Sequence, residues 1–283
     1  MSANLRDLRT YAEGTWCRGC GNFGILAAFK RAVSKLEERG IKRNNIIITA
    51  GIGCHGKIWD YLNLSGFYSL HGRAMSTAHG IKLGNPDLNV VTFAGDGDSI
   101  GEGIAHMIFS AKRNADITVI THDNGVYGLT TGQFTPRSDK GFRGPSTPRG
   151  NIEEPLNPLS LMLEAGATFV GRGYSGKLNE LVDLFVEAIE HEGFAFVDVL
   201  QPCVSYNDTY AKYNELVEVL EGTPSTYEEA MAIAKRQDKL FVGKIYQTQR
   251  PVFYKQLYGD WNPALQSMPE KERKANIMKL LQG

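Results

Sequence analysis

Short apolar runs alternate with stretches of helical periodicity along most of the chain. Continuous apolar runs bounded by turn-forming residues predict buried strands at 45–50, 89–94, 117–122, 167–170 and 194–199. Apolar side chains at helical spacing predict helices over 21–39, 71–84, 101–114, 157–165 and 177–191. This alternation favours an α/β fold, with an open, mainly parallel sheet and helices on both faces.

The remaining segments are less regular. Residues 135–158 contain five prolines and several glycines, which predicts a long surface loop. From about residue 208 onward the pattern is helical and predicts no strand. We therefore expect a domain over 1–210 and a helical extension over 211–283, whose apolar-rich end suits contact with a partner.

Composition and charge exclude several classes of function. Lys and Arg together number 31, and so do Asp and Glu, so no net charge points to nucleic acid or to an anionic membrane. The N-terminal residues have no apolar core of a signal peptide, and no apolar run approaches the length of a membrane span. The cytoplasm is the expected location.

The sharpest chemical feature follows two predicted strands. Gly95, Asp96 and Gly97 come after one strand, and Asn124 follows the next, 124 − 96 = 28 positions later. The carboxyl ends of parallel strands bind ligands, and the glycines permit close approach of the backbone. Asp96 and Asn124 offer hard oxygen ligands for Mg²⁺, and a helix starting near Gly101 would direct N–H groups at a diphosphate.

This spacing resembles the thiamine diphosphate-binding motif, with Asp123 where the usual pattern has a first Asn. A calcium loop beginning at Asp96 is excluded, because Ile100 and Met107 occupy positions that need oxygen donors. A dinucleotide motif at 51–56 matches in its glycines but lacks an acidic residue in 71–84.

The cysteines form a second constellation: Cys17, Cys20, Cys54 and Cys203. Each lies within two residues of a glycine or proline, near a predicted strand end or helix start. Four thiolates meeting at one sheet edge would bind a [4Fe–4S] cluster or Zn²⁺. One C-x-x-C pair with two solitary cysteines is less typical of zinc, and buried inert thiols are the third interpretation.

At this point the chain resembles a known family. TWCRGCGNFGI, GIGCHGK, the run from GFYSLHGR to GDGDSIGEGIAH, DNGVYGLTTGQFTPRS and QPCVSYN are similar to segments of the β subunit of two-subunit 2-oxoacid:ferredoxin oxidoreductases, over about residues 11–210. The resemblance implies the thiamine diphosphate-binding fold. It also implies coenzyme A-dependent oxidative decarboxylation of a 2-oxoacid such as pyruvate or 2-oxoglutarate, with electrons passing to ferredoxin.

The resemblance also assigns residues. It implies that Cys17, Cys20, Cys54 and Cys203 bind a [4Fe–4S] cluster, and that Asp96, Asn124 and Val126 bind Mg²⁺. The implied cofactor-binding set is Gly53, Gly95, Asp96, Gly97, Asp98, Asn124, Val126, Tyr127, Gly128 and Leu129. His71 and Thr131 are candidates to face the substrate.

A partner is implied as well. In the family, the glutamate that activates the aminopyrimidine ring lies on an α subunit, in its pyrimidine-binding domain, so we expect this chain to be inactive alone and to form αβ or (αβ)₂. The alternative enzyme is a non-redox thiamine diphosphate decarboxylase or carboligase with structural zinc. The alternative from a different class of protein is a nucleotide-binding or interaction module that is stabilised by zinc and catalyses no reaction.

Overall fold

A computed structural model describes residues 5–282, and its strands confirm the expected open, mainly parallel sheet. The strands are β1 Ile46–Ala50, β2 Gly66–Tyr68, β3 Asn89–Gly95, β4 Thr118–Asp123, β5 Val126–Tyr127, β6 Gln133–Phe134, β7 Phe169–Tyr174, β8 Ala195–Leu200, β9 Val217–Val219 and β10 Leu240–Gln247. The main sheet has the order β2-β1-β3-β4-β8-β7-β10-β9, and β5 pairs with β6 separately. Of these neighbours in the main sheet, β10 and β7 are antiparallel and the others parallel.

Helices cover both faces of the sheet, as expected. They are α1 Asn22–Glu38, α2 Ala74–Gly84, α3 Ile104–Arg113, α4 Pro158–Glu164, α5 Leu178–Glu190, α6 Tyr210–Leu216, α7 Tyr227–Ala234, α8 Phe253–Tyr258 and α9 Glu270–Gln282. Side chains of α1 and α5 belong to one core cluster, and side chains of α2, α3, α4 and α7 to the other.

The central strands are apolar on both sides because each side faces a core. In β3, Val91 and Phe93 join the cluster beneath α1 and α5, whereas Val90 and Ala94 join the opposite cluster. Successive side chains of a strand point to opposite faces, so a strand covered twice is apolar without interruption. This explains why continuous apolar runs identified these strands in the sequence.

The expectation of no strand after about residue 208 is wrong. β9 and β10 extend the sheet beyond β7, and β10 runs antiparallel with an irregular register between Lys244 and Tyr246. Only Val242 and Ile245 of β10 are fully buried, so this edge lacks the continuous apolar pattern of the central strands. The sheet therefore includes residues that we had assigned to a helical extension.

Two further segments refine the expectations. The helix predicted over 101–114 is preceded by a π-helical turn, Gly97–Glu102, so helical structure begins directly after Asp96. The predicted loop is confirmed, since no helix or strand occurs between Phe134 and Pro158. Its middle is held by Asn151, whose side chain donates to the Ser138 and Glu153 carbonyls, both at 3.2 Å. None of the helices within residues 5–282 is long and apolar enough to cross a membrane.

Candidate functional site

The predicted site residues follow four neighbouring strands. β1, β3, β4 and β8 lie side by side and parallel, so their carboxyl ends share one edge of the sheet. Gly53 and Cys54 follow β1, Asp96 follows β3, Asn124 follows β4, and Cys203 follows β8. The chain topology thus brings the metal-type residues and two cysteines to one place.

One cavity at this edge, here the GDG cavity, has a volume of about 90 Å³. Its walls include His71 and the full expected cofactor-binding set: Gly53, Gly95, Asp96, Gly97, Asp98, Asn124, Val126, Tyr127, Gly128 and Leu129. Thr131 does not belong to these walls. Residues that are scattered over about 75 positions of sequence (129 − 53 = 76) therefore form a single concave surface.

Asp96 and Asn124 offer oxygens from two strand ends. Asp96 is buried, and the Thr135 hydroxyl donates to its Oδ2. Burial, followed by the negative charge of Asp123, raises the pKa of Asp96 to about 8. Asn124 Oδ1 accepts a hydrogen bond from the Val126 backbone N–H at 3.0 Å. A buried carboxylate beside an oriented amide oxygen fits a divalent cation, which would supply the positive charge that burial demands.

Asp123 stands where the usual motif has an Asn, and it forms an ion pair within the protein. Arg137 donates from Nε to Asp123 Oδ2 at 2.8 Å, and both side chains are largely buried. Asp123 is also absent from the walls of the GDG cavity. Its charge is thus balanced by Arg137 of the long loop, and Asn124 remains as the metal-type residue of this turn.

Glycine is required at Gly95 and Gly97 by the protein's own rings. A Cβ at Gly95 would lie 2.7 Å from His55 Nδ1, and one at Gly97 would lie 2.2 Å from Cε1 of Tyr127. Both distances are too short for a carbon contact. His55 and Tyr127 therefore pack against the backbone at these two positions, and both glycines also line the GDG cavity, where the sequence suggested room for a ligand.

Asp98 uses its oxygens within the protein. Its Oδ1 accepts from the Gly72 backbone N–H at 2.7 Å and from that of Ile52 at 3.3 Å, and it lies 2.5 Å from His71 Nδ1. Burial raises the pKa of Asp98, but His55, the Gly72 N–H and His71 together outweigh burial and hold the pKa below its usual value. Asp98 is therefore an ionised group that orients His71 at the cavity wall.

The cysteines surround a second space, here the thiol cavity, of about 50 Å³. All four side chains line it, with Cys17 exposed and Cys20, Cys54 and Cys203 partly buried. A Cβ on Gly128 would lie 3.5 Å from the sulfur of Cys54 and 3.7 Å from that of Cys203. Gly128 thus keeps open a cradle that a larger side chain would fill.

Four cysteines around one cavity form an all-sulfur donor set, which both iron–sulfur clusters and zinc accept. Burial, and then the neighbouring thiols, raise the pKa of Cys20 to about 11, so four thiolates need a strongly positive centre. The donor set fits an iron–sulfur cluster.

Two residues that the sequence did not single out donate hydrogen bonds to these sulfurs. The Ser205 hydroxyl donates to Cys17 Sγ at 3.1 Å, and Gln201 Nε2 donates to Cys20 Sγ at 3.6 Å. Both flank Cys203, in QPCVS, and that proximity is the only sequence signal for them. Lys57 also lines the thiol cavity, and its charge lowers the pKa of Cys54 while burial raises it.

The two cavities share a wall. Cys54, Asn124 and Gly128 line both the GDG cavity and the thiol cavity. A group bound in one cavity would therefore be separated from a group in the other by a few atoms of these residues.

Thr131 lies in the tight turn that follows Gly128. Its φ is +78°, a left-handed conformation that is unfavourable for a β-branched residue. Its hydroxyl donates to the Thr130 carbonyl at 2.6 Å, and its side chain is exposed. The structure therefore places Thr131 at the rim of the site.

Comparison with known proteins identifies this arrangement. Residues 51–199 match the family described as thiamine pyrophosphate enzyme, C-terminal TPP binding domain, and residues 203–259 match the family described as the C terminal of the pyruvate ferredoxin oxidoreductase beta subunit. The 2-oxoacid:ferredoxin oxidoreductase subunit beta of Saccharolobus solfataricus is 40% identical over 272 residues, covering 90% of this chain and 88% of that protein. Subunit beta of 2-oxoacid:ferredoxin oxidoreductase 2 from Aeropyrum pernix is 36% identical over 98% of this chain and 94% of its own.

A solved structure agrees over nearly the whole length. The 2-oxoglutarate:ferredoxin oxidoreductase from Magnetococcus marinus, with 2-oxoglutarate, coenzyme A and succinyl-CoA bound, superposes with a TM-score of 0.85 at 35% identity. The match covers 99% of this chain and 91% of that one. Fold and site together define a thiamine diphosphate-binding enzyme domain. Within that class, the chain belongs to the β subunits of 2-oxoacid:ferredoxin oxidoreductases.

Proposed function

We propose that this chain, with a partner subunit, oxidatively decarboxylates a 2-oxoacid and transfers the acyl group to coenzyme A. One 2-oxoacid and one coenzyme A would give one acyl-CoA, one CO₂, one proton and two electrons, and ferredoxin is the proposed acceptor. The observation that carries the proposal is the shared wall: the GDG cavity and the thiol cavity are adjacent, which supports neighbouring sites for thiamine diphosphate and a cluster. Pyruvate, 2-oxoglutarate and related acids are the candidate substrates.

The GDG cavity is the proposed site of the cofactor diphosphate and Mg²⁺. Asp96, Asn124 and the Val126 carbonyl are the proposed metal ligands, and the backbone at Gly53, Gly95 and Gly97 would face the diphosphate. Helical structure begins directly after Asp96, so the first N–H groups of the π-helical turn are available to phosphate oxygens.

The thiol cavity is the proposed site of a [4Fe–4S] cluster bound by Cys17, Cys20, Cys54 and Cys203. When bound, the two groups would supply carbanion chemistry at the keto carbon and one-electron transfer. This chain would hold the cofactor and the cluster on opposite sides of Gly128. His71, held by Asp98 at the cavity wall, is positioned to move a proton near the cofactor.

A partner subunit is implied by the family, and we propose that it is an α subunit with the pyrimidine-binding domain. Among the described residues, no glutamate lines the GDG cavity, so the activating carboxylate would come from that partner. Phe67, Leu70 and Leu129 are large apolar side chains that stay exposed near this edge and suit burial against another subunit.

The C-terminal segment is a second proposed contact. Every described side chain of α9 is exposed, including Ile277, Met278 and Leu281. A thirteen-residue helix that buries no face is marginal in water, since helices in proteins depend on packing. We propose that α9 docks on a partner, within αβ or (αβ)₂, and that the assembly resides in the cytoplasm, where thiols remain reduced.

The test is anaerobic co-purification with the partner subunit, followed by analysis of iron, acid-labile sulfide, zinc and thiamine diphosphate. About four iron and four sulfide per chain support the cluster, and 2-oxoacid- and coenzyme A-dependent reduction of viologen supports the reaction. Zinc without sulfide would instead indicate the second candidate, a non-redox decarboxylase or carboligase. Loss of co-purification after removal of residues 270–283 would support the proposal that α9 docks on the partner.

A further inference from the structure

Gln201 lines the thiol cavity and bonds both to Asn124, in the wall shared with the GDG cavity, and to Cys20. Its side chain is fully buried, and its Oε1 accepts a hydrogen bond from Asn124 Nδ2 at 3.0 Å. Its Nε2 donates to Cys20 Sγ at 3.6 Å and to the Pro202 carbonyl at 2.6 Å. One amide therefore joins a proposed metal ligand to a proposed cluster ligand.

The Pro202 carbonyl sets the orientation of both amides. A carbonyl only accepts, so it keeps Nε2 of Gln201 on its own side and Oε1 on the side of Asn124. Oε1 also only accepts, so Asn124 must present Nδ2 to it. Asn124 Oδ1 is then directed to the Val126 N–H and the GDG cavity, as a metal ligand requires.

The same amide acts on the cluster side. N–H groups that donate to cysteine sulfurs stabilise the more negative, reduced state of an iron–sulfur cluster and so raise its reduction potential. Gln201 supplies such a donor to Cys20, and Ser205 supplies one to Cys17. The Ser205 hydroxyl bonds to Cys17, whereas the amide of Asn124 bonds to Gln201, so Ser205 provides a comparison.

We propose that Gln201 is a positioning residue for both centres: it orients Asn124 toward the metal and raises the reduction potential of the cluster through Cys20. This inference rests on the proposed function, since it requires both groups to be bound.

Three variants in the co-purified complex separate the two roles. Gln201→Met removes the acceptor and the donor at similar length. Gln201→Glu retains an oxygen facing Asn124 but removes the N–H facing Cys20. Ser205→Ala, the matched control, removes only the donor to Cys17. The readouts are the midpoint potential from an EPR-monitored redox titration and the Mg²⁺-dependent affinity for thiamine diphosphate.

All three variants should lower the midpoint potential. Only Gln201→Met should weaken cofactor binding, by roughly 10–100-fold, as expected for the loss of an outer-shell partner of a metal ligand. Gln201→Glu and Ser205→Ala should bind the cofactor like the wild type. If Gln201→Met assembles no cluster, a wild-type potential in Gln201→Glu would still overturn the cluster role, because that variant removes the N–H donor and also adds a negative charge.

A wild-type potential in both Gln201 variants, or wild-type cofactor affinity in Gln201→Met, would overturn the dual role. A wild-type complex without iron and sulfide would overturn the proposed function itself. The wild-type analysis therefore distinguishes the two failures before any variant is compared.

Discussion

His71 Nδ1 lies 2.5 Å from Oδ1 of Asp98, a carboxylate that is buried while the imidazole is partly exposed at the cavity wall. The Gly72 N–H bonds to the same carboxylate oxygen, so the pair is fixed from two sides. This arrangement leaves Nε2 as the free nitrogen of His71. Asp98, an expected cofactor-binding residue in the cavity wall, also holds this ring.

Replacing His71 should test that role. In His71→Ala we expect kcat for 2-oxoacid-dependent viologen reduction to fall by roughly 10²–10⁴-fold, the range typical of a general acid or base. Thiamine diphosphate affinity should stay near wild type, because His71 is not a proposed metal or diphosphate ligand. An unchanged kcat would exclude His71 from proton transfer.

Asp96→Asn should abolish binding rather than folding. The variant removes a buried carboxylate whose proposed role is metal ligation, and we expect thiamine diphosphate affinity to fall by about 100-fold or more. Titration calorimetry with and without Mg²⁺ measures the effect. Asp116→Asn, at a residue that pairs with Lys82 outside the GDG cavity, serves as control. Equal affinity in the two variants would contradict the assignment.

Gly128→Val should damage both sites at once. The valine methyls would enter the space beside the sulfurs of Cys54 and Cys203, while Gly128 also lines the GDG cavity. We expect iron, sulfide and thiamine diphosphate content to fall together in the purified complex. Gly80→Val on the exposed side of α2, where a Cβ meets nothing within 4 Å, should retain all three. Full iron and sulfide content in Gly128→Val would contradict the proposal that Gly128 keeps space free for the cluster.

The fold and the main site residues follow from the sequence because they depend on repeated patterns. Continuous apolar runs identify β1, β3, β4 and β8, and the polar residues just after them are then placed by topology. β9 and β10 were missed because β9 has only three residues and β10 is mostly half-buried, so neither carries a continuous apolar run. The contacts of Gln201 and the Asp98–His71 pair were missed because a single hydrogen bond between residues distant in sequence produces no repeating sequence pattern.

Thr131→Gly should stabilise the protein. A β-branched residue at φ +78° is strained, and glycine adopts this conformation freely. We expect the free energy of unfolding to rise by about 1 kcal/mol, measured by chemical denaturation. Thr130, which has no positive φ, provides the control: Thr130→Gly should destabilise or have little effect. A loss of stability in Thr131→Gly would show that the threonine contacts outweigh the strain.

His79 should contribute to sensitivity to acid. Burial, and then the charge of Arg113, lower the pKa of His79 in the folded state below its value in the unfolded chain. The unfolded chain then binds more protons as the pH falls below about 6.5, so stability is lost on acidification. His79→Gln should lose less stability than the wild type between about pH 7.5 and 5.5. Parallel pH profiles of the two proteins would contradict this.

Asn124 and Gly128 of the shared wall flank β5 of the β5–β6 hairpin, a ladder of two residue pairs that stands apart from the eight-stranded sheet. Asn124 precedes this hairpin, and Gly128 and Leu129 lie in its turn. A ladder this small opens at far lower free energy than the central strands. Each opening of the hairpin would expose the proposed cofactor site and the proposed cluster site to solvent at the same time. During storage, the enzyme should therefore lose thiamine diphosphate and iron with the same rate constant, rather than one after the other.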